Sequence, residues 1–309
     1  MKVKPQSSTL ITVLGATASG KTSLAISLAN WLNAPIVSAD GRQFYREMSI
    51  GTAVPTAQEL SSAPHYLIQH KSIHDPYSVG DYAREATVLL DELFKKSNSV
   101  ILVGGSGLYI QALTQGLDEF PEVNPKDKAF VEKLWADNGI QALQNLLREL
   151  DPRYAQVVDL QNPMRLIRAL SVCLSSKQPY SSFLGKPKPT KNFEHIAIGM
   201  EGPRPWLHQR INQRVDQMVQ QGLFDEASSL YAHRELNALK TVGYSEVFAF
   251  MDGVISREQA IEDIKTNTRR YAKRQGTWFR RQSGIHWISA ENPTIQAKSV
   301  LQQNGIIPV

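Results

Sequence analysis

Eight residues near the start of the chain, Gly15-Ala16-Thr17-Ala18-Ser19-Gly20-Lys21-Thr22, constrain its fold more than any other stretch. They read Gly-x4-Gly-Lys-Thr and stand between a β-branched apolar run, residues 9–14, and the segment Lys21–Leu32, whose apolar residues recur at helical spacing. A glycine loop between strand and helix turns consecutive backbone N–H groups inward, toward the positive end of a helix dipole. A phosphate held there exchanges its water shell for fixed donors. Lys21 supplies a mobile charge and Thr22 a hydroxyl for Mg²⁺. The bland alternative is a glycine-rich turn that merely packs. The motif specifies a phosphate, not a nucleotide.

The alternation continues downstream. Apolar runs predict a second buried strand at residues 35–39 and a third at 99–103, the latter running into Gly104-Gly105-Ser106-Gly107, with a helix over about 79–96 between them. Short continuous strands alternating with helices imply an α/β fold, a P-loop NTPase-like parallel sheet flanked by helices. From about 121 to 174 the pattern changes to amphipathic helices broken at Asn124-Pro125, Asp151-Pro152 and Asn162-Pro163, which predicts an inserted all-helical subdomain. A strand at 195–200 then rejoins the sheet after a polar loop at 184–192, and the mostly helical remainder ends in a strand at Ile285–Ser289. The expected division is 1–120 for the first part of the core, 121–190 for the insertion, and 191–309 for the rest of the core with a basic helical segment.

Composition bounds the remaining possibilities. With 309 residues, 42% hydrophobic and 20% charged, the chain buries a sizeable core, which excludes a disordered tail or fibrous repeat. A formal charge of +5 permits a polyanionic partner without requiring one. The single cysteine, Cys173, excludes an intramolecular disulfide framework and a four-cysteine zinc site, and points to a reducing compartment, by default the cytoplasm. Lys2 and Lys4 before the apolar run at 10–14 imitate a signal peptide, but the run is short and its cleavage zone coincides with the glycine motif. Nowhere do about 18 apolar residues occur without interruption, so no membrane span is expected. His70 and His74, four apart beside the Asp75-Pro76 turn, read as a surface or loop pair rather than a metal site.

Phosphoryl-transfer P-loop proteins hold Mg²⁺ with an acid at the end of an apolar strand, whereas here the 99–103 strand ends in two glycines. The strand-terminal acid nearby is Asp40, which belongs at the same sheet edge as the P-loop, where α/β folds bind ligands. It can accept a proton from an acceptor nucleophile, or it can cap the turn after the strand. Ser106, flanked by glycines at a strand-to-helix turn, allows close backbone approach, or serves as an N-cap. Arg210 and Arg214 lie one helical turn apart on one face. No acid occurs between Asp263 and Glu291, while Lys265, Arg269, Arg270, Lys273, Arg274, Arg280 and Arg281 gather beside Tyr271, Trp278 and Phe279. Such a helix offers phosphate contacts and aromatics for packing or base stacking, or else only helix-dipole complementation.

These motifs together carry a resemblance. Residues 15–22, Ser-Ala-Asp-Gly-Arg-Gln-Phe-Tyr-Arg at 38–46 with Ile-Gly-Thr-Ala-Val-Pro at 50–55, and Val-Gly-Gly-Ser-Gly-Leu-Tyr at 103–109 are followed by Arg-Leu-Ile-Arg-Ala-Leu at 165–170. Val-Gly-Tyr-Ser-Glu at 242–246 and Tyr-Ala-Lys-Arg-Gln-Gly-Thr-Trp-Phe-Arg at 271–280 complete the set. In this order, over nearly the whole chain, the set resembles the tRNA dimethylallyltransferases, also called tRNA isopentenyltransferases. The resemblance implies transfer of a dimethylallyl group from dimethylallyl diphosphate to N6 of adenosine 37 in tRNA, beside the anticodon, with Mg²⁺ as cofactor and a monomer as default.

It also implies roles. Gly15 through Thr22 and Arg214 would hold the diphosphate, with Lys21 neutralising its charge and Thr22 on the metal; Asp40 would take the N6 proton, and Ser106 would donate to the bridging oxygen of the leaving group. Asp40, Gly41, Arg42 and Gln43 would hold the target base. The anticodon stem-loop would lie against Lys128, against Met164, Arg165, Leu166, Ile167 and Arg168, and against Lys240, Thr241, Val242, Gly243, Tyr244 and Ser245. Lys273, Arg274, Gln275, Gly276, Thr277, Trp278, Phe279 and Arg280 would extend that surface. The chain departs from the family at Gly41, where serine is common, and at Asn162, where aspartate is common. The absence of a C-terminal Cys/His finger leads to the expectation of a bacterial or compact organellar form. The competing readings are a dimethylallyltransferase using free adenine nucleotides, a small-molecule or nucleotide kinase, and an RNA-binding module with a relic P-loop.

Overall fold

The computed structural model describes residues 8–186, 188 and 190–308, so Lys2 and Lys4 lie outside the described residues. Two compact units result: Met1–Gln115 with Lys191–Val309, and Gly116–Thr190. In the first, β1 (Thr9–Gly15) runs into the glycine loop and α1 (Lys21–Leu32), followed by β2 (Ile36–Ser38), α2 (Ala57–Ser62), β3 (His65–Tyr66), α3 (Val79–Phe94), β4 (Ser99–Gly104) and α4 (Gly107–Gln115). In the second stand α5 (Pro125–Leu150), α6 (Pro152–Ala155) and α7 (Pro163–Ser176). The chain then returns to the first unit with β5 (Glu194–Glu201), α8 (Arg204–Gln220), α9 (Leu223–Ser229), α10 (Tyr244–Met251), α11 (Arg257–Arg280), β6 (Ile285–Ser289) and α12 (Pro293–Gln303).

The sheet has the order β3-β2-β4-β1-β5-β6, and every pairing is parallel. β1 lies between β4 and β5 and is buried along its whole length, which is why its sequence is apolar or β-branched without a polar alternation. Its side chains divide between two cores: Ile11 and Val13 pack with Leu24, Leu28 and Leu32 of α1 and Leu301 of α12, while Leu10 and Leu14 pack with Tyr82, Leu90, Ile110 and Leu113 on the other face. Each fully buried leucine contributes about 1.5–3 kcal/mol of transfer free energy.

The sheet edge where the ligand loops emerge depends on a close approach of β2 and β4. A Cβ on Gly104 would fall inside the carbonyl of Ala39, so glycine is the side chain that this approach admits. Gly104→Ala is expected to cost about 1–3 kcal/mol as overpacking. The measurement is a urea midpoint, which should fall at unchanged m-value.

Three elements were not anticipated from the pattern. α2 has six residues and β3 two, too few for a period to show, and α12 buries only Ala297 and Leu301 of its eleven residues. In the helical unit, Val131, Leu143, Leu147, Leu166, Ile167 and Leu170 form one core. Leu166 and Ile167 turn their side chains into this core, and α7 exposes Met164, Arg165 and Arg168. The Asn162 departure is absorbed locally, because its side chain caps α7 by accepting from the Arg165 N–H at 3.2 Å. Among the described residues, no helix is long and apolar enough to cross a membrane.

Candidate active site

The glycine loop leaves β1 at Gly15, whose φ of 150° and approach to the Met200 carbonyl leave no room for a side chain, and enters α1 through Gly20 at φ 95°. Two helices brace it from outside. Gln275 of α11 accepts from the Thr17 N–H at 2.8 Å and donates to the Gly105 carbonyl at 2.8 Å, and Arg210 of α8 donates through Nε to the Ala18 carbonyl at 2.8 Å. The loops after β1 and β4 are thereby fixed to each other by one buried amide. Such pre-organisation lets backbone donors meet an anion without first reorganising.

Thr17, Lys21, Thr22, Ser38, Asp40 and Arg214 surround a small chamber over the loop. The Lys21 ammonium donates to the Ala16 carbonyl at 2.7 Å. Its burial, with Arg214 nearby and only Asp40 opposing, lowers its pKa to about 8. Arg214 is likewise desolvated, which lowers its pKa from the usual arginine value. Two cations held together without a full complement of anions make a site that binds a multiply charged anion. Arg210 is drawn away from this chamber by the Ala18 carbonyl and by stacking on Trp206, 5.1 Å from the ring centre.

The chamber opens into a cleft of about 390 Å³ that shares Thr17, Asp40, Arg214 and Tyr271 with it and adds Gly41, Arg42, Ser106, Tyr109, Val215 and Met218. Asp40 closes the turn after β2 with one of its carboxylate oxygens. Its Oδ1 accepts from the N–H groups of Arg42 (2.9 Å) and Gln43 (3.3 Å), forming the turn, and its Oδ2 has no protein partner among the described residues. Ser106 leads into α4, its carbonyl accepting from the Ile110 N–H at 3.1 Å, and its hydroxyl oxygen accepts from the Gly41 N–H at 2.8 Å. A Cβ on Gly41 would stand 3.2 Å from that oxygen and 3.4 Å from Tyr109, so the glycine lets the Asp40 loop close onto Ser106. Tyr271 turns its hydroxyl into the cleft, where desolvation and the Asp40 charge push it up to about 12.

Gln43 lies inside the loop, donating to the carbonyls of Thr52 (3.2 Å) and Ala53 (2.8 Å), and so supports the cleft wall. That wall is also held by Glu226, whose carboxylate accepts from the N–H groups of Ser49 (2.9 Å), Ile50 (2.8 Å) and Gly51 (2.9 Å) and from the Tyr244 hydroxyl (2.7 Å). No local signal marks Glu226, because the three N–H groups it holds lie some 175 residues away. Tyr244 is fully buried in this clamp. Thr241, Val242 and Gly243 line the cleft, while Lys240 and Ser245 are exposed.

α11 divides its residues by face. Gln275 is the loop brace just described and Phe279 is 2% exposed in the core. Trp278 packs on Gly107, where a Cβ would collide with its indole. Lys273, Arg274, Thr277 and Arg280 remain exposed, with Gly276 partly so. Lys128 is exposed on the helical unit, 3.6 Å from Glu132.

The chain is similar to known proteins. The family model described as IPP transferase matches residues 43–282. The chain is 51% identical over 279 residues to a tRNA dimethylallyltransferase of Christiangramia forsetii, covering 90% of this chain and 92% of that one. It is 49% identical over 298 residues to one of Flavobacterium psychrophilum, covering 94% and 97%. The crystal structure of a tRNA isopentenylpyrophosphate transferase of Bacillus halodurans matches with a TM-score of 0.71 at 34% identity over 96% of each chain. A phosphate cradle without a strand-terminal acid at β4, faced by Asp40, is thus set in a chain that belongs to the IPP transferase family, the family of the tRNA dimethylallyltransferases.

Proposed function

We propose that this chain transfers a dimethylallyl group from dimethylallyl diphosphate to N6 of adenosine 37 in tRNA, releasing diphosphate. The observation that carries the reading is the free Oδ2 of Asp40 in a cleft contiguous with the Lys21 and Arg214 chamber. The cradle holds a leaving diphosphate, so the bond broken is carbon–oxygen, and the acid that phosphoryl transfer needs at the end of β4 has no task.

An exocyclic amine is a weak nucleophile because its lone pair is delocalised into the ring. N6 attacks the allylic C1, the C1–O bond breaks with its electron pair leaving on diphosphate, and the proton lost from N6 passes to Asp40 Oδ2. Lys21, Arg214 and the loop N–H groups take up the charge that develops on the diphosphate. Ser106, its oxygen accepting from Gly41 and its hydroxyl bonded to that of Tyr271, would turn its O–H from Tyr271 to the bridging oxygen when the diphosphate is bound. Tyr109, Val215 and Met218 give the cleft an apolar wall suited to the five-carbon chain and exclude water from the allylic centre.

Among the described residues no group of three His, Cys, Asp or Glu side chains could hold a metal ion by itself. Thr22 supplies one neutral hydroxyl in the chamber, which fits Mg²⁺ as an ion that keeps its waters and takes most of its protein-side charge from a diphosphate. Bound there, Mg²⁺ would neutralise part of the diphosphate charge. RNA would meet Met164, Arg165, Arg168, Lys128, Lys240, Ser245, Lys273, Arg274, Thr277 and Arg280 through exposed side chains.

The acceptor is tested by offering labelled dimethylallyl diphosphate and Mg²⁺ with unmodified tRNA, AMP or ATP in parallel. Label in N6-dimethylallyladenosine from tRNA alone is expected; label in the mononucleotides overturns the RNA acceptor. A second expectation follows from Lys21. Because its free-site pKa is lowered to about 8, the empty site loses this charge as pH rises through that value, and a bound anion restores it. Affinity for inorganic diphosphate should therefore fall above pH 8 with proton uptake on binding, measured by calorimetry in buffers of different ionisation enthalpy. Lys21→Arg, whose guanidinium does not titrate, should remove the proton uptake.

A further inference from the structure

A second cavity, of about 470 Å³, lies on the outer side of the P-loop and shares no wall residue with the Asp40 cleft or the chamber. α11 separates the two: Thr268, Tyr271 and Gln275 face the cleft and chamber, whereas Arg269, Arg270, Lys273, Gly276 and Arg280 face the second cavity. α8 adds Arg204 and Trp206, and β6 adds Trp287.

The wall has the chemistry of a nucleotide site. Arg204, Arg269, Arg270, Lys273 and Arg280 stand against a single carboxylate, Glu201, and none of the five forms an ion pair among the described residues. The Arg269 guanidinium is held in place by neutral partners, Asn212 Oδ1 at 2.7 Å and Thr266 Oγ1 at 2.9 Å, so its fork is fixed while its charge stays uncompensated. Two indoles line it: Trp206, which packs on Gly202 and carries the Arg210 guanidinium 5.1 Å from its ring centre, and Trp287, which packs on Gly199, both glycines standing where a Cβ would collide with the rings. From the P-loop side comes Ser19, 4% exposed, with a buried hydroxyl that has no hydrogen-bond partner. A buried unpaired hydroxyl is costly unless something completes it.

We infer that this cavity binds a nucleoside monophosphate unit, with the phosphate on the arginine and lysine side of α11 and the base against the indoles. Base stacking on aromatic faces tolerates any base, so the site is assigned to a nucleotide and not to adenine. The unit comes from free nucleotide or from a residue of a bound RNA. The RNA source rests on the proposed function, and the free-nucleotide source does not.

The test uses the full chain saturated with inorganic diphosphate and Mg²⁺, so that the P-loop chamber is filled. AMP is titrated by equilibrium dialysis and by tryptophan fluorescence, and an anticodon stem-loop RNA is titrated separately. Arg269→Gln and the exposed Arg204→Glu alter the second cavity, and Asp40→Asn alters the cleft. For a free nucleotide, AMP binds with indole quenching, survives Asp40→Asn, and weakens about tenfold or more in both cavity variants, the effect of losing one charge-assisted hydrogen bond. For an RNA residue, AMP binds weakly and the stem-loop shows that same loss in both variants while single-turnover transfer at saturating RNA is unchanged. Should Arg269→Gln fail to fold, Arg204→Glu carries the same comparison. Unchanged affinity for both AMP and stem-loop in Arg204→Glu, or AMP binding abolished by Asp40→Asn alone, overturns the site. A dead Asp40→Asn enzyme with unaltered cavity binding leaves the inference and the proposed chemistry separately readable.

Discussion

Replacing Asp40 by asparagine is expected to lower the single-turnover rate of prenyl transfer by about 10²–10⁴-fold, the range in which a positioned general base acts. Asparagine is the informative choice because Asp40 has two tasks. Its Oδ1 holds the turn by accepting from Arg42 and Gln43, and an amide oxygen continues to do so. The basicity of Oδ2 is then the property removed. Affinity for tRNA should stay within about threefold of the unaltered protein, since the base pocket and its hydrogen-bonding turn persist. Rapid-quench measurement with both substrates saturating separates the chemical step from binding. A full-rate Asp40→Asn enzyme would remove Asp40 from the mechanism.

Lys21→Ala is expected to reduce kcat/KM for dimethylallyl diphosphate by about 10²–10³-fold, the loss typical of one preorganised donor at developing charge. Arg214 and the loop N–H groups remain, so the site is weakened and not abolished. With the lysine gone, Arg214 no longer faces a second buried cation, and protein stability should hold or rise slightly. Steady-state kinetics at varied donor, with a urea titration beside it, tests both halves. A variant with unchanged donor kinetics would mean that the diphosphate is held elsewhere.

The strand, glycine loop and first helix were legible because each departs sharply from its neighbours: a continuous apolar run, two glycines at fixed spacing, then leucines at helical period. β6 was legible for the same reason, as apolar residues after Gly284. α12 escaped because its buried face is two residues, and β3 because two residues carry no period. At the site, Lys21, Asp40 and Ser106 could be picked out one by one, since each stands at a strand end beside glycines or an obvious turn. Which motif residues are interior was not legible. Leu166, Ile167, Tyr244, Gln275 and Phe279 belong to motifs shared with RNA-modifying relatives, yet their side chains build the interior that presents those motifs. The Glu226 clamp and the Gln275 brace join segments far apart in sequence, and only the fold reveals them.

The central claim is that this P-loop retains a leaving diphosphate and cleaves no nucleotide. It is tested most directly in one incubation of enzyme, tRNA and Mg²⁺ with dimethylallyl diphosphate labelled in the prenyl carbon and ATP labelled in the γ-phosphate. The account predicts prenyl label in tRNA, recovered as N6-dimethylallyladenosine with an equal amount of diphosphate released, and all γ-phosphate label still in ATP. Phosphate label in tRNA or in a small molecule, with no prenyl label in RNA, would contradict it and make the cradle a nucleotide-cleaving site.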